Sequence, residues 1–280
     1  MEEASVRDPT PKFMEIELVL KLVHEMYGYD FTHYSKESIE RRLNEIIQRR
    51  KLGYISDLIP LLLRQPDFLN EFLAKLSIGV TKFFRDPEFF ASYRKNVLPY
   101  LTTFPYVKVW HAGCSTGQEV YTHAIMLYEE GLLDAATIYA TDFNNGAIEK
   151  ASDGIYSMIE LEEAKVPYRD AGGQSHLSDY YHDSYHFAKI ESHLRKPVTF
   201  SHHNLVSDGV FGEMNVIFCR NTLIYFDQFL QNNVLALLSS SLRPGGYLCL
   251  GNKESIIFFD GKEDFEAIDD KNRIFRKKMV

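Results

Sequence analysis

The sequence predicts an α/β fold, a mostly parallel sheet covered by helices, with an all-helical unit ahead of it and a small β-rich insertion within it. Three observations predict it. The stretch Val107 to Tyr121, VKVWHAGCSTGQEVY, passes from an apolar β-branched and aromatic run into a loop bracketed by Gly113 and Gly117, then into the helical spacing Tyr121, Ala124, Ile125, Tyr128. Further apolar runs, IYATD at 138–142 and NVIFCRN at 215–221, end in polar residues, and the second leads through a helical pattern to another strand, as in a βαβ unit. The residues before 80 carry helical periodicity alone.

With 280 residues the chain can bury one large α/β core plus a smaller unit, and 45% hydrophobic and 25% charged residues are ordinary for a globular protein. A formal net charge of −8 speaks against general phosphate attraction, so no nucleic-acid partner is expected. The first dozen residues, with Pro9 and Pro11 among polar neighbours, have neither the basic start nor the apolar centre of a signal peptide. No apolar run approaches the roughly 18 residues of a membrane-spanning helix. Cys114, Cys219 and Cys249 fall in or beside predicted strands, which reads as reduced, packed thiols, Cys114 as a nucleophile being the alternative. The expected location is the cytoplasm.

Ile16, Val19, Leu20, Val23 and Met26 recur at helical spacing and Gly28 follows as a stop, predicting an amphipathic helix over 13–26. Ser35 caps the next, with Ile39, Leu43, Ile46 and Ile47 inward. On that segment Lys36, Arg41, Arg42, Arg49, Arg50 and Lys51 outnumber Glu37, Glu40 and Glu45. It is a candidate docking face for an acidic partner, against the plainer reading of a solvated helix face. Helical stretches at 58–63 and 68–76 complete the unit. In SIGVTKFFRDPEFF, Arg85 stands among Phe83, Phe84, Phe89 and Phe90. A guanidinium in that setting either holds an anionic partner such as a carboxylate or snorkels over an apolar rim.

IYATD ends in Asp142, and an acidic strand tip after a glycine-containing turn is how nucleotide-binding α/β folds hold ribose hydroxyls. Residues 151–200, with Gly172-Gly173 and the tract DYYHDSYHF, predict a few short strands rather than another long helix. His182 and His186 have helical spacing for a metal pair, but no companion Cys or carboxylate supports zinc, and no metal is expected. A helix over 229–242, a Pro244-Gly245-Gly246 break into the strand YLCLG, and a hairpin of 265–268 with 273–276 close the chain.

Gly113-Cys114-Ser115-Thr116-Gly117 also fits the G-x-S-x-G nucleophile elbow of hydrolases. That reading needs an oxyanion loop upstream and a histidine after the last strands, and neither is found. A cofactor carrying one nucleoside explains more: the loop for its polar tail, Asp142 for ribose, and polar residues after later strands, including Asn204 and the Arg220-Asn221 pair.

The segments VTKFFRDPEFF, AGCSTGQEVY, YATD, the NL of HHNL, FCRNTLIYF and LRPGGYLCLG, in that order over 80–251, resemble the S-adenosylmethionine-dependent protein-glutamate methyltransferases of bacterial chemotaxis, the CheR family. The resemblance implies a Rossmann-like methyltransferase sheet in an S-adenosylmethionine-binding domain at 81–280, a helical substrate-docking domain at 1–80, and a small β-subdomain inserted near 155–200. It implies cofactor contacts from Thr81, Arg85, Glu119, Asp142, Asn204, Leu205, Arg220 and Asn221, with Arg85 and Tyr225 nearest the transferred methyl as catalytic candidates. In that assignment Glu119 takes the ammonium of the methionine tail, Asp142 the ribose, and Arg85 orients a carboxylate.

The implied reaction methylates glutamate side chains of a chemoreceptor, giving methyl esters. The implied partner is the receptor's helical cytoplasmic region, met through Arg41, Arg42, Arg49 and Arg50 by a monomeric enzyme. A signalling module with weak or redirected transfer is the alternative. Three departures stand out: Gly79 where the family has asparagine, Gln118 and Val120 in place of the commoner Glu and Pro, and no Gly-Tyr-Gly turn of the kind found in receptor-tethered members.

Overall fold

The computed structural model describes residues 10–76 and 81–279. The chain divides into two compact units between residues 78 and 79. The first consists of α1 (Pro11–Tyr27), α2 (Lys36–Arg50), α3 (Leu58–Arg64) and α4 (Pro66–Leu76). The boundaries of the first two helices have local causes. Thr10 accepts from the Phe13 amide ahead of Pro11, Gly28 closes α1 at φ 77°, and Ser35 accepts from Ser38 at the start of α2. The inward stripes of α1 and α2, from Val19 and Val23 to Ile39, Leu43 and Ile46, are buried with Leu58, Leu62 and Phe72.

The second unit runs α5 (Pro87–Asn96), α6 (Leu98–Leu101), β1 (Val107–Ala112), α7 (Gln118–Glu129), β2 (Ala136–Asp142), α8 (Asn145–Asp153), β3 (Ile155–Ser157), α9 (Met158–Asp170), β4 (Tyr181–Ser184), β5 (Phe187–Ile190), α10 (Ser192–Arg195), β6 (Val198–His202), β7 (Met214–Cys219), α11 (Gln228–Ser240), β8 (Leu242–Leu250), β9 (Phe265–Asp269) and β10 (Ile274–Lys277). Its main sheet has the order β6-β2-β1-β7-β8-β10-β9. The five strands from β6 to β8 are parallel, and β10 and β9 are antiparallel.

From β1 the chain moves outward through β2 to β6, then returns to the other flank of β1 as β7. This reversal opens a crevice at the carboxyl ends of β1 and β7, where an open α/β sheet receives ligands. Strands covered on both faces need apolar residues at nearly every position, and β7 is buried throughout. The one tryptophan, Trp110, is fully buried and its Nε1 donates to Thr141 Oγ1 at 2.8 Å, tying β1 to β2.

Two expectations are corrected. Residues 151–200 do hold short strands, as the antiparallel sheet β3-β5-β4, but also the 13-residue helix α9. That helix starts from a reciprocal cap between Ser157 and Glu160; only Leu161, Ala164 and Tyr168 are buried and Pro167 lies inside, so its periodicity is faint. The Pro-Gly-Gly segment is no break before a strand but part of β8. Met214 faces Leu242 and Val216 faces Tyr247, so the extra residues bulge out of the ladder, with Gly245 at φ 75°. The β4–β5 turn carries Tyr185 at φ 57°, without glycine, and 98% exposed.

Candidate active site

All nine residues expected to bind cofactor or stand at the methyl lie in the second unit, on segments that follow the carboxyl ends of β1, β2, β6 and β7 or precede α5. Gly113 and Cys114 donate from their backbone N–H groups to the Thr141 carbonyl, both at 2.8 Å, which folds the loop after β1 over the end of β2. Gly117 adopts φ 89° at the start of α7, and a Cβ there would lie 2.9 Å from both the Ala151 Cβ and the Tyr156 hydroxyl. Glycine is therefore required by conformation and by space. Ser115 takes φ 51° and donates its N–H to Asp142 Oδ2 at 2.9 Å, while Asn144 N–H reaches Oδ1 at 2.9 Å.

Each Asp142 oxygen keeps lone pairs beyond those two bonds, enough to accept from a pair of hydroxyls. Burial raises its pKa, against the lowering effect of the Asn144, Ser115 and Phe143 amides. The Ser115 hydroxyl is buried without a hydrogen-bond partner among the described residues, so no base activates it as a nucleophile. Burial likewise pushes the Cys114 thiol well up, keeping it protonated.

Glu119, in the first turn of α7, is the second carboxylate of the crevice. Arg220 Nη1 donates to its Oε2 at 2.8 Å, and Arg220 Nη2 to Asp86 Oδ2 at 2.8 Å. The Arg220 side chain has no exposure at all, and its guanidinium carbon stands 3.9 Å from the centre of the Phe89 ring. Burial would raise the Glu119 carboxyl, but Arg220 and His111 outweigh it and hold the pKa below the ordinary glutamate value.

The sequence put four phenylalanines around Arg85. The structure buries all four, and Phe89 and Phe90 pack against Arg220 instead. Phe84 at φ 50° and Asp86 at φ 58° flank Arg85, two left-handed non-glycine residues in a row of three, and Arg85 emerges half-buried between them. The Phe84 amide is held by Thr122 Oγ1 at 3.0 Å.

Thr81, Asn204, Leu205, Asn221 and Tyr225 are half-buried. Asn204 accepts the Val206 amide through its own Oδ1, an Asx turn after β6. Gly79, where an amide side chain was expected, lies outside the described residues. Gln118 is buried, accepting from Thr116 and donating to Glu160 Oε1 at 2.9 Å, so a glutamate here would face another carboxylate.

Sequence reasoning missed Glu254. It is 4% exposed and accepts backbone N–H groups from Gly251, Asn221, Leu223 and Ile224 at 2.6–3.3 Å, fixing the loop that carries Asn221 and Tyr225. A Cβ on Gly251 would sit 2.8 Å from Asn221 N and from Glu254 Oε2. Only the strand-end position of GNKES hinted at this role.

In the helical unit Arg41, Arg49 and Arg50 are exposed, but Arg42 is corrected: it is buried, donating to the Lys75 carbonyl at 2.7 Å and to Ser38. Its position between Ile39 and Ile46 already set it on the inward stripe. Arg50 pairs with Glu71. His182 pairs with Glu191 at 2.8 Å rather than with His186.

The crevice therefore offers one anchored carboxylate suited to paired hydroxyls, a second suited to a cation, and a glycine loop leading into a helix start, which fits an adenosine with an amino-acid tail. Among the described residues no helix is long and apolar enough to cross a membrane. Residues 79–274 match the CheR methyltransferase, SAM binding domain, and residues 14–77 the CheR methyltransferase, all-alpha domain. The Cher3 protein of Pseudomonas putida, a methyltransferase by provisional name, is 43% identical over 94% of this chain and 97% of its own. Chemotaxis protein methyltransferase 1 of Vibrio cholerae is 31% identical over 79% and 82% of the two chains. An uncharacterized 104.1 kDa protein of Rhodobacter capsulatus is 30% identical over 96% of this chain, which spans 28% of that protein. The chain belongs to the CheR methyltransferase family, and S-adenosylmethionine is its cofactor.

Proposed function

We propose that this methyltransferase acts on glutamate side-chain carboxylates in the helical cytoplasmic region of a chemoreceptor, producing methyl esters. The observation that carries the reading is the strained turn Phe84-Arg85-Asp86, which sets a half-buried guanidinium one residue from the carboxylate that pairs with Arg220. Backbone strain of this kind is retained where surrounding structure fixes it for use. Glu119 would bind the ammonium end of the cofactor, Asp142 the ribose, and Thr81, Asn204, Leu205, Asn221 and the Arg220 segment its remaining length. When bound, S-adenosylmethionine supplies a methyl group on a positively charged sulfur.

Arg85 would align the incoming carboxylate, and Tyr225 would wall the same space. A glutamate side chain, with an ordinary pKa of about 4.3, is already an anion at neutral pH, so positioning and exclusion of water are what the chain must provide. No group need remove a proton. This separates a carboxylate substrate from an amine or hydroxyl. The exposed Arg41 and Arg49, beside the paired Arg50, would face acidic residues of the receptor helix.

The test is transfer of labelled methyl groups to receptor fragments. Label released by base as methanol supports the ester; label that survives base shows nitrogen methylation and rejects it. Replacing Arg85 by Ala should lower turnover about 100-fold while cofactor affinity changes little; equal losses in both would remove Arg85 from its assigned place.

A further inference from the structure

A line of buried polar groups leads to Glu119 from α5, by way of α7 and β1. Tyr93 Oη on α5 is 3.0 Å from His123 Nε2 on α7, His123 Nδ1 is 3.2 Å from His111 Nε2 on β1, and His111 Nδ1 is 3.5 Å from Glu119 Oε1. Tyr93 and His123 are wholly buried and His111 is 1% exposed. Phe218 covers both imidazoles, with ring centres 4.5 Å from His111 and 4.7 Å from His123. At 3.5 Å the last link is at the long limit of a hydrogen bond, and His111 Nδ1 has no hydrogen-bond partner of its own among the described residues, so Glu119 is the group it faces.

The line has one fixed end. Glu119, ionised against Arg220, can only accept. The hydrogen between it and His111 must then sit on His111 Nδ1. With a single proton on His111, at Nδ1, its Nε2 accepts from His123 Nδ1, and His123 Nε2 accepts from Tyr93. Neutrality of His123 agrees with its surroundings: burial pushes its pKa well below the ordinary value.

We propose that Tyr93, His123 and His111 are positioning residues, a one-way hydrogen-bond relay that fixes the rotamer of Glu119 for the cofactor's ammonium group. The proposal rests on the reading of Glu119 given under Proposed function. Arg220 holds one carboxylate oxygen and His111 Nδ1 faces the other at 3.5 Å, so each oxygen has a neighbour that orients it before any ligand arrives.

Nitrogen-detected spectra of the full chain, isotope-labelled at histidine, with bound S-adenosylhomocysteine should show His111 and His123 as neutral Nδ1–H tautomers, the form that is in the minority in water. An Nε2–H tautomer or an imidazolium at either residue overturns the relay, and this readout needs no variant. Calorimetry supplies the second arm. His111→Phe keeps the ring and removes both nitrogens; it should weaken S-adenosylhomocysteine about tenfold and leave 5′-methylthioadenosine, which has no ammonium, within about twofold. Equal weakening of both ligands would mean a merely structural histidine and reject the proposal.

Should His111→Phe fail to fold, Tyr93→Phe, which removes one hydroxyl, should shift the His123 nitrogen signals and weaken S-adenosylhomocysteine about threefold; unchanged signals overturn the relay. Glu119→Gln separates the two ideas. If it binds S-adenosylhomocysteine like the parent, the assignment of Glu119 to the ammonium fails. If it loses affinity and His111→Phe does not, the relay alone fails.

Discussion

The helical unit and the sheet unit both contain arginine–carboxylate pairs, and they use them in opposite ways. Arg50 and Glu71 meet at the surface of the helical unit, with side chains 39% and 26% exposed, where water already solvates both charges. The Arg220 side chain is wholly buried and bridges Glu119 and Asp86 beside the crevice at the carboxyl ends of β1 and β7. The surface pair can be lost without leaving a stranded charge. The buried bridge cannot, because removing its cation leaves two carboxylates in a setting arranged around it.

The largest effect that would sharpen this contrast is Arg220→Met, which should cost about 3–5 kcal/mol in urea unfolding and abolish measurable cofactor binding. A loss under about 1 kcal/mol would erase the contrast. Glu254→Gln comes next. One amide oxygen cannot replace a carboxylate accepting four backbone N–H groups, so about 2 kcal/mol should be lost, read as a lower unfolding temperature together with weaker cofactor binding. Unchanged thermal stability would show that the Asn221–Tyr225 loop holds without it.

A smaller effect distinguishes the two buried carboxylates by pH. Glu119 lies below the glutamate value of 4.5, so the stability it contributes is present above pH 4.5 and is lost as pH falls through its folded pKa. Glu254 lies above 4.5, because burial outweighs its four amide partners. Its contribution is present below pH 4.5 and is lost as pH rises through its folded pKa. Unfolding midpoints of the parent, Glu119→Gln and Glu254→Gln on both sides of pH 4.5 should diverge in opposite directions, and parallel curves would contradict the assignment. The smallest effect is Arg50→Ala, for which no change in the unfolding midpoint is expected.

What could be read from the sequence was whatever is written locally. The glycine loop, Asp142 at a strand tip and the caps at Ser35 and Gly28 are signalled by residue types a few positions apart, and each stands where its pattern implied. Arg42 was legible too, since Ile39, Arg42, Leu43 and Ile46 share one helical stripe, but basic composition drew the reading outward. Glu254 and Arg220 were harder, because their partners lie about 30 and 100 positions away and no local spacing encodes such a pairing. The Pro-Gly-Gly bulge in β8 was misread because proline and glycine signal an interruption without telling whether the ladder resumes on the other side.

One feature of the core also makes the molecule convenient for optical work. All three thiols are buried, and burial raises the pKa of each, so alkylating dyes should leave the native chain unlabelled at neutral pH. A single cysteine introduced at the solvent-exposed Tyr185 would then carry one fluorophore at one address, on the hairpin of the small sheet, with no native cysteine to delete first.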